Sequence, residues 1–303
     1  MSEGELGKQR LGDYFSATGR YSAWESGTLW VGETRKSLVS VPGLLCVQAD
    51  EGHIRQVLKS SGRLAAVFGT DRSTGRQFDT FVIRDRNYGW DALQRQFRQQ
   101  TQAALGRCGV RPVGWSEMKT KAVPLHRDTF ARRGMNAGVF GTESHWCRVC
   151  EVAETIPGLQ AWGAFTAQEE LTAYLTTWTH RGICHALNLF RSDLHQALRS
   201  THALFFQTIR ETFARGQIET FSAGRQTLPP MPSVDRFKEH AGFQREPQQV
   251  GVIVSSPLRY LIRSERFLSI LRGWRQRQLW GSHWLEYLEV LEVAACTRLG
   301  DLR

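Results

Sequence analysis

Apolar positions along this chain follow two periods, and the switches between them outline alternating strands and helices. Leu29 to Val41 carries β-compatible residues and closes at Pro42-Gly43. Ile54, Val57 and Leu58 then recur at helical spacing within Asp50 to Ser61. The apolar runs Leu64 to Gly69 and Phe78 to Arg84 flank the turn-rich Asp71 to Gly75, which predicts a β-hairpin. Trp90 to Leu105 reads as a helix, with Leu93, Phe97, Thr101 and Leu105 on one stripe. The pattern breaks across Gly106 to Gly114, and Val110 to Trp115 reads as a short strand. Met118 to Gly141 is polar, contains Pro124 and Arg132-Arg133-Gly134, and is expected to be a loop near substrate. Ser144 to Ala153 returns to helical spacing.

The second half is patterned more sharply. Leu159 to Phe165, Leu171 to Trp178 and Ile183 to Phe190 are β-like runs joined by short polar links, as in an antiparallel meander. A helix follows over Ser200 to Arg215, with Leu204, Phe205, Thr208, Ile209 and Phe213 facing inward and Gly216 placed to end it. Ile218 to Phe221 makes another strand, ending in Ser222-Ala223-Gly224-Arg225. After Leu228-Pro229-Pro230-Met231-Pro232, Ser233 is the expected N-cap of a helix reaching Gly242. Val250 to Val254 is the last strand, and two helical segments close the chain. No repeat of fixed period is visible.

Composition changes this picture little until charge is considered. At 303 residues, with 41% hydrophobic and 11% aromatic residues, the chain can fill two cores. No run of about 18 apolar residues occurs, so no membrane-spanning helix is expected. The polar Met1 to Gly12 lacks the apolar stretch of a secretory signal and is expected to be a short frayed tail. Cys46, Cys108, Cys147, Cys150, Cys184 and Cys296 do not form a disulfide framework and point to reduced thiols in a cytoplasm. Lys plus Arg number 39 against 29 acids, a net charge of +10. Lysine supplies only Lys8, Lys36, Lys59, Lys119, Lys121 and Lys238. Arginine binds phosphate in a planar, bidentate way, which suits CoA, tRNA or a nucleotide-linked substrate. A G+C-rich genome would raise arginine as well.

Several clusters invite chemistry. His145-Trp146-Cys147-Arg148-Val149-Cys150 has a Cys-x-x-Cys spacing, but no second ligand pair for zinc and no thioredoxin-like setting. Helical cysteines packed beside Trp146 are the expected reading, with no metal. Trp274, Trp280 and Trp284 lie among Arg272, Arg275 and Arg277, as a closing amphipathic helix pair or a nucleotide-stacking surface. The helix starting at Ser200 presents unpaired N–H groups beside Arg199 and Arg191, a setting that favours a phosphate.

The order from Leu159 to Val254 resembles the GNAT acyltransferase fold, and the local residues resemble its Fem-like branch. The resemblance runs through Trp162-Gly163-Ala164-Phe165, Leu171 to Leu175, Ser192-Asp193, Ala203 to Gly216 and Ser222-Ala223-Gly224. It closes on Val234-Asp235-Arg236-Phe237-Lys238 and Gly242-Phe243, with weaker echoes in Phe81 to Asp85 and Arg98 to Val110. It implies an α/β fold, a mixed and mostly antiparallel sheet flanked by helices. Two GNAT-like lobes are expected, a degenerate one over 1–115 and a catalytic one over 116–303. It also implies transfer of an acyl or aminoacyl group to a small-molecule or peptide amine acceptor, with aminoacyl-tRNA or acyl-CoA as co-substrate and no other cofactor. The CoA signature Arg/Gln-x-x-Gly-x-Gly/Ala is absent before the Ser200 helix, which shifts the expectation toward tRNA. Arg199, Ser200, Gly224, Arg225 and Phe237 would bind the donor, and Lys238 would steady the tetrahedral oxyanion. Asp235, Glu219, Asp193 and His185 are candidate general bases. A non-catalytic GNAT-like protein, binding nucleic acid or a partner through its basic surface, is the alternative.

Overall fold

The computed structural model describes residues 3–32, 36–48, 50–71, 76–132, 134, 137–226, 231–261 and 269. In chain order the first half holds α1 (Glu3–Ala17), β1 (Ser22–Glu25), β2 (Thr28–Gly32), β3 (Ser37–Val41), α2 (Glu51–Ser61), β4 (Ala65–Gly69), β5 (Arg76–Ile83), α3 (Arg95–Leu105), β6 (Gly109–Val113), α4 (Trp115–Lys121), α5 (Val123–Arg132) and α6 (Glu143–Glu154). The second half holds β7 (Leu159–Phe165), β8 (Leu171–His180), β9 (Ile183–Arg191), α7 (Ser200–Ala214), β10 (Thr220–Arg225), α8 (Pro232–His240), β11 (Gln244–Val254) and α9 (Ser256–Leu261). Among the described residues no helix is long and apolar enough to cross a membrane.

The chain gathers into two compact units, neither continuous in sequence. One comprises residues 1–19, 81–224 and 233–245; the other comprises 20–80, 225–232 and 246–303. Residues 115 and 116 both fall in the first.

In the second unit, β2 pairs antiparallel with β1 and β3, β3 pairs parallel with β4, and β4 pairs antiparallel with β11. Both edges of β4 are therefore taken. The expected hairpin of Leu64–Gly69 with Phe78–Arg84 does not form, because Val250–Val254 is the antiparallel partner of Ala65–Gly69. Helix α2 closes this unit, capped by Asp50, whose carboxylate accepts from the His53 N–H at 2.9 Å. Its apolar stripe, Ile54, Val57 and Leu58, packs with Trp30, Leu38, Ala66 and Phe68.

In the first unit, β6, β7, β8 and β9 form the expected meander, all antiparallel. Arg181 and Gly182 both have positive φ, 49° and 74°, which gives the tight β8–β9 turn its hand. A Cβ at Gly163 would meet Phe165, Val113 and Leu171 side chains at 2.6–2.8 Å, so the Trp-Gly-Ala-Phe stretch keeps its glycine for packing. Strand β10 joins β9 in parallel, and the connection between them is α7. Helix α7 buries Leu204, Phe205, Phe206, Ile209 and Phe213 against Trp162, Leu175 and Phe221.

Three further expectations fail in this unit. The N-terminal stretch is not frayed: α1 covers it from Glu3, with Leu11, Tyr14 and Phe15 buried. Met118–Gly141 is not a loop but α4, α5 and a 3₁₀ turn at Gly138–Gly141. Pro124 is tolerated because it lies in the first turn of α5, where its missing N–H has no helical partner to lose. Helix α8 starts at Pro232, so Ser233 lies inside its first turn instead of preceding it. The Trp274, Trp280 and Trp284 cluster lies outside the described residues.

Candidate active site

Two neighbouring strands part company in the middle of the first unit. The parallel pairing of β9 with β10 covers Ile183 to His185 against Thr220 to Ser222. Beyond that point β9 runs on to Arg191, with β8 as its partner throughout. Gly224 has φ +77° and gives its N–H to the Ser222 hydroxyl at 3.1 Å, which bends β10 at this point. The result is a splay. Ala186 and Leu189 from β9, Ala223 from β10, Leu198 and Phe237 are only partly buried where they pack against the α7 core.

The first turn of α7 adds charge and an imidazole. Arg199 takes the left-handed conformation, φ 54°, and occupies the N-cap position with no side-chain cap bond. Ser200 is buried, and its hydroxyl lies 3.9 Å from the Cys108 sulfur. His202, which the sequence reading passed over, packs 4.5 Å from the Phe97 ring and 5.3 Å from Phe237. Burial takes its pKa down to about 4, helped by the charges of Arg199 and Arg191. Its signal was its place one turn after Arg199, on the first turn of a helix entering the core.

Helix α8 carries the other half of the site. Phe237 touches Phe97, His202 and Phe205 at ring distances of 5.2, 5.3 and 5.5 Å. The next residue, Lys238, is 8% exposed, and its ammonium sits 4.4 Å from the centre of the Phe81 ring. Burial lowers its pKa to about 8, against the opposing charge of Asp235, one turn earlier on α8. Asp235 is itself buried. A buried lysine held over an aromatic face is a cation kept half-ready to lose its proton near neutrality.

Helix α5 fastens the mouth of the splay. The Thr129 hydroxyl donates to the Arg191 carbonyl at 3.1 Å and accepts from its N–H at 3.3 Å. The Asp128 carboxylate accepts from the Ser192 hydroxyl and the Asp193 N–H, both at 3.1 Å. Arg132 bonds the Asp193 carboxylate. Arg191, half-buried between Arg132 and Asp193, has its pKa lowered chiefly by burial.

The expected site residues are thus partly gathered. Phe237 packs on His202 beside Arg199 at the first turn of α7, Lys238 follows it in the last turn of α8, and Gly224 lies at the splay. Ser200 turns its side chain into the core. Arg225 belongs to the second unit, where its side chain lies beside Gly43. Of the candidate bases, Glu219 is exposed and near Arg86 at 3.8 Å, Asp193 is held by Arg132, and His185 is buried. Cys147 and Cys150 lie on α6 beside Trp146; burial pushes the Cys150 thiol up to about 12.

No sequence-family model and no curated sequence matches the chain. Solved structures do. FemX aligns with a TM-score of 0.58 at 10% identity, over 86% of this chain and 98% of its own. L-PGS from Bacillus licheniformis aligns with a TM-score of 0.51 at 12% identity, over 83% of this chain and 92% of its own. The C-terminal domain of an Agrobacterium fabrum protein provisionally named lysylphosphatidylglycerol synthetase gives 0.50 at 13% identity, over 83% and 88%. At these identities the likeness is one of fold: this chain folds as FemX and L-PGS do, in the Fem-like, GNAT-type arrangement.

Proposed function

We propose that the protein transfers an acyl or aminoacyl group from an activated ester or thioester to an amine, with the reacting carbonyl held near the β9–β10 splay. The observation that carries this is Lys238, a buried ammonium 4.4 Å from the Phe81 ring and next in sequence to Phe237, which is only partly buried against the α7 core. The amine nitrogen attacks the acyl carbon and the carbonyl electrons move onto oxygen; the carbonyl then re-forms as the C–O or C–S bond to the donor breaks, and the proton lost by the amine passes to the departing oxygen or sulfur. The Lys238 ammonium stabilises the negative oxygen in a water-poor setting, where one such donor is worth roughly 10²–10³ in rate. Phe237 and His202 shape the donor side, and Arg199 and Arg191 supply positive charge at the first turn of α7. Holding two reactants in line supplies much of the remaining acceleration, so a neutral amine needs little from a base.

Aminoacyl-tRNA is the favoured donor. The net charge of +10 and the FemX-type fold support it, and the chain lacks the CoA signature before α7. The test offers the protein a charged tRNA pool and, separately, acyl-CoA, each with a mixture of amines, and follows amide formation by mass spectrometry. Transfer from tRNA that weakens steeply with salt supports this donor, because each neutralised phosphate releases counterions. Transfer from CoA alone overturns the tRNA assignment, and no transfer from either pool overturns the reaction.

A further inference from the structure

The face of the β7–β10 sheet away from α7 carries polar side chains that the proposed transfer leaves unused. The register sets Thr176 of β8 opposite Asn188 of β9, and Trp178 opposite His185. Directly paired residues share a face, and a β-bulge on β9 between Ala186 and Asn188 brings His185 and Asn188, three residues apart, to the same side as Thr176 and Trp178. The Trp178 ring stacks on His180 at 4.9 Å and on His185 at 6.0 Å. Thr176, Trp178 and His185 are 0%, 1% and 6% exposed. Asn188 donates to the Tyr14 hydroxyl at 3.1 Å. By contrast, Thr176 Oγ1, Trp178 Nε1 and His185 Nε2 have no hydrogen-bond partner.

Each orphaned buried polar atom costs roughly 1–3 kcal/mol, and folded proteins carry few of them. Three on adjoining register pairs mark a place built to meet something. His185 is the last residue of β9 that pairs with β10, opposite Ser222, so the strip begins where the splay opens. The chemistry of the three groups narrows the occupant. Trp178 only donates, Thr176 donates or accepts, and His185 offers an N–H or a lone pair according to its tautomer. Burial holds His185 neutral near pH 7. Among the described residues no carboxylate, guanidinium or ammonium is shown in contact with these three groups, so the complement assigned to them is an uncharged group bearing both a carbonyl and an N–H.

We infer that Thr176, Trp178 and His185 form a binding site for an amide group of the acceptor, entered from the splay. Assigning the amide to the acceptor rests on the transfer reaction proposed above; binding of an amide does not. The probe is N-acetylglycinamide, with acetate and methylammonium as charged controls. The readout is the indole N–H resonance of Trp178 in the ¹⁵N-labelled full chain, assigned with Trp178→Phe. N-acetylglycinamide shifts this resonance saturably, and the charged controls do not. Thr176→Val keeps the shape and removes the hydroxyl, so it weakens probe binding at least several-fold while the melting temperature stays level or rises. His185→Gln, which keeps donor and acceptor capacity, retains more binding than His185→Leu. A resonance that ignores the amide, or that moves equally with acetate, overturns the site. So does unchanged affinity in a well-folded Thr176→Val protein. Amide binding without transfer from any donor pool leaves the site standing and removes the reaction; transfer without amide binding does the reverse.

Discussion

The two faces of the β7–β9 meander are built to opposite rules. Toward α7 lie Trp162, Ala164, Leu175 and Cys184, packed against Leu204, Phe206 and Ile209, and the buried Trp162 indole N–H is satisfied by the Thr177 hydroxyl at 3.3 Å. Toward α1, α5 and α6 lie Tyr174, Thr176, Trp178, His185 and Asn188, each bringing a polar atom into the interior. Some of these are satisfied. His126 Nδ1 donates to the Phe140 carbonyl at 2.8 Å, and the Tyr174 hydroxyl donates to His126 Nε2. Others are not. One face maximises burial, while the other accepts a stability cost for its unpartnered polar atoms.

The sharpest way to break this comparison is to cut into the apolar face. Phe206 is fully buried and its ring lies 4.1 Å from Trp90 and 5.8 Å from Tyr88. Phe206→Ala is expected to cost about 3–5 kcal/mol in chemical denaturation. A loss under about 1 kcal/mol would mean that α7 does not hold the fold together.

Lys238 gives the next largest effect, with two signs at once. Lys238→Met should lower turnover by about 10²–10³-fold, read in single-turnover acyl transfer. Stability should move the other way. Burial lowers the lysine in the fold to about 8 from its ordinary 10.5, so the unfolded chain binds the extra proton between them. The contribution is fully present above about 10.5 and lost as pH falls through 8, on the order of 3 kcal/mol at neutrality. Removing the charge therefore raises the pH 7 melting temperature if the methionine packs well. Turnover of the native protein should also fall as pH rises above about 8, when the ammonium is lost.

Acid should expose the polar face before the apolar one. Burial lowers His126 and His185 to about 4, from the ordinary 6.5 of a free imidazole. Each contributes stability that is fully present above about 6.5 and lost as pH falls through 4, up to about 3 kcal/mol apiece. Hydrogen exchange measured down this range should show the amides of β8 and β9 opening early, and His126→Gln should blunt the acid sensitivity. The smallest expected effect is Thr176→Val, level or stabilising by about 1 kcal/mol, because no hydrogen bond is lost with the hydroxyl.

Local pattern carried the meander, α2 and α7, because each buries a face that its own residues define. Lys238 and Phe237 stood out in the sequence for a similar reason, a lone lysine in an arginine-rich stretch and a motif of a known family. What escaped was set by distant partners. The hairpin of β4 with β5 looked natural until Val250–Val254 took the same edge. Helices α1, α4 and α5 are polar on average, and their burial depends on the aromatic nest of Trp146, Phe140 and Tyr174 that they help to close. His202 and the Thr176–Trp178–His185 strip were invisible for a plainer reason. Neither spacing nor composition says that a buried polar atom has been left without a partner.

The hydroxyl of Thr129 has one more consequence. Where β9 and β10 part, β9 presents a bare edge inside the molecule, and bare edges recruit foreign strands. Ser192 gives its N–H to Thr172 on β8, so the backbone groups of Arg191, one residue earlier, point to the opposite side. Thr129 occupies both of them. A single threonine thus acts as a counterfeit strand, ending the edge without closing the cleft. At Arg191 the edge therefore offers an incoming strand no free backbone pair on which to start.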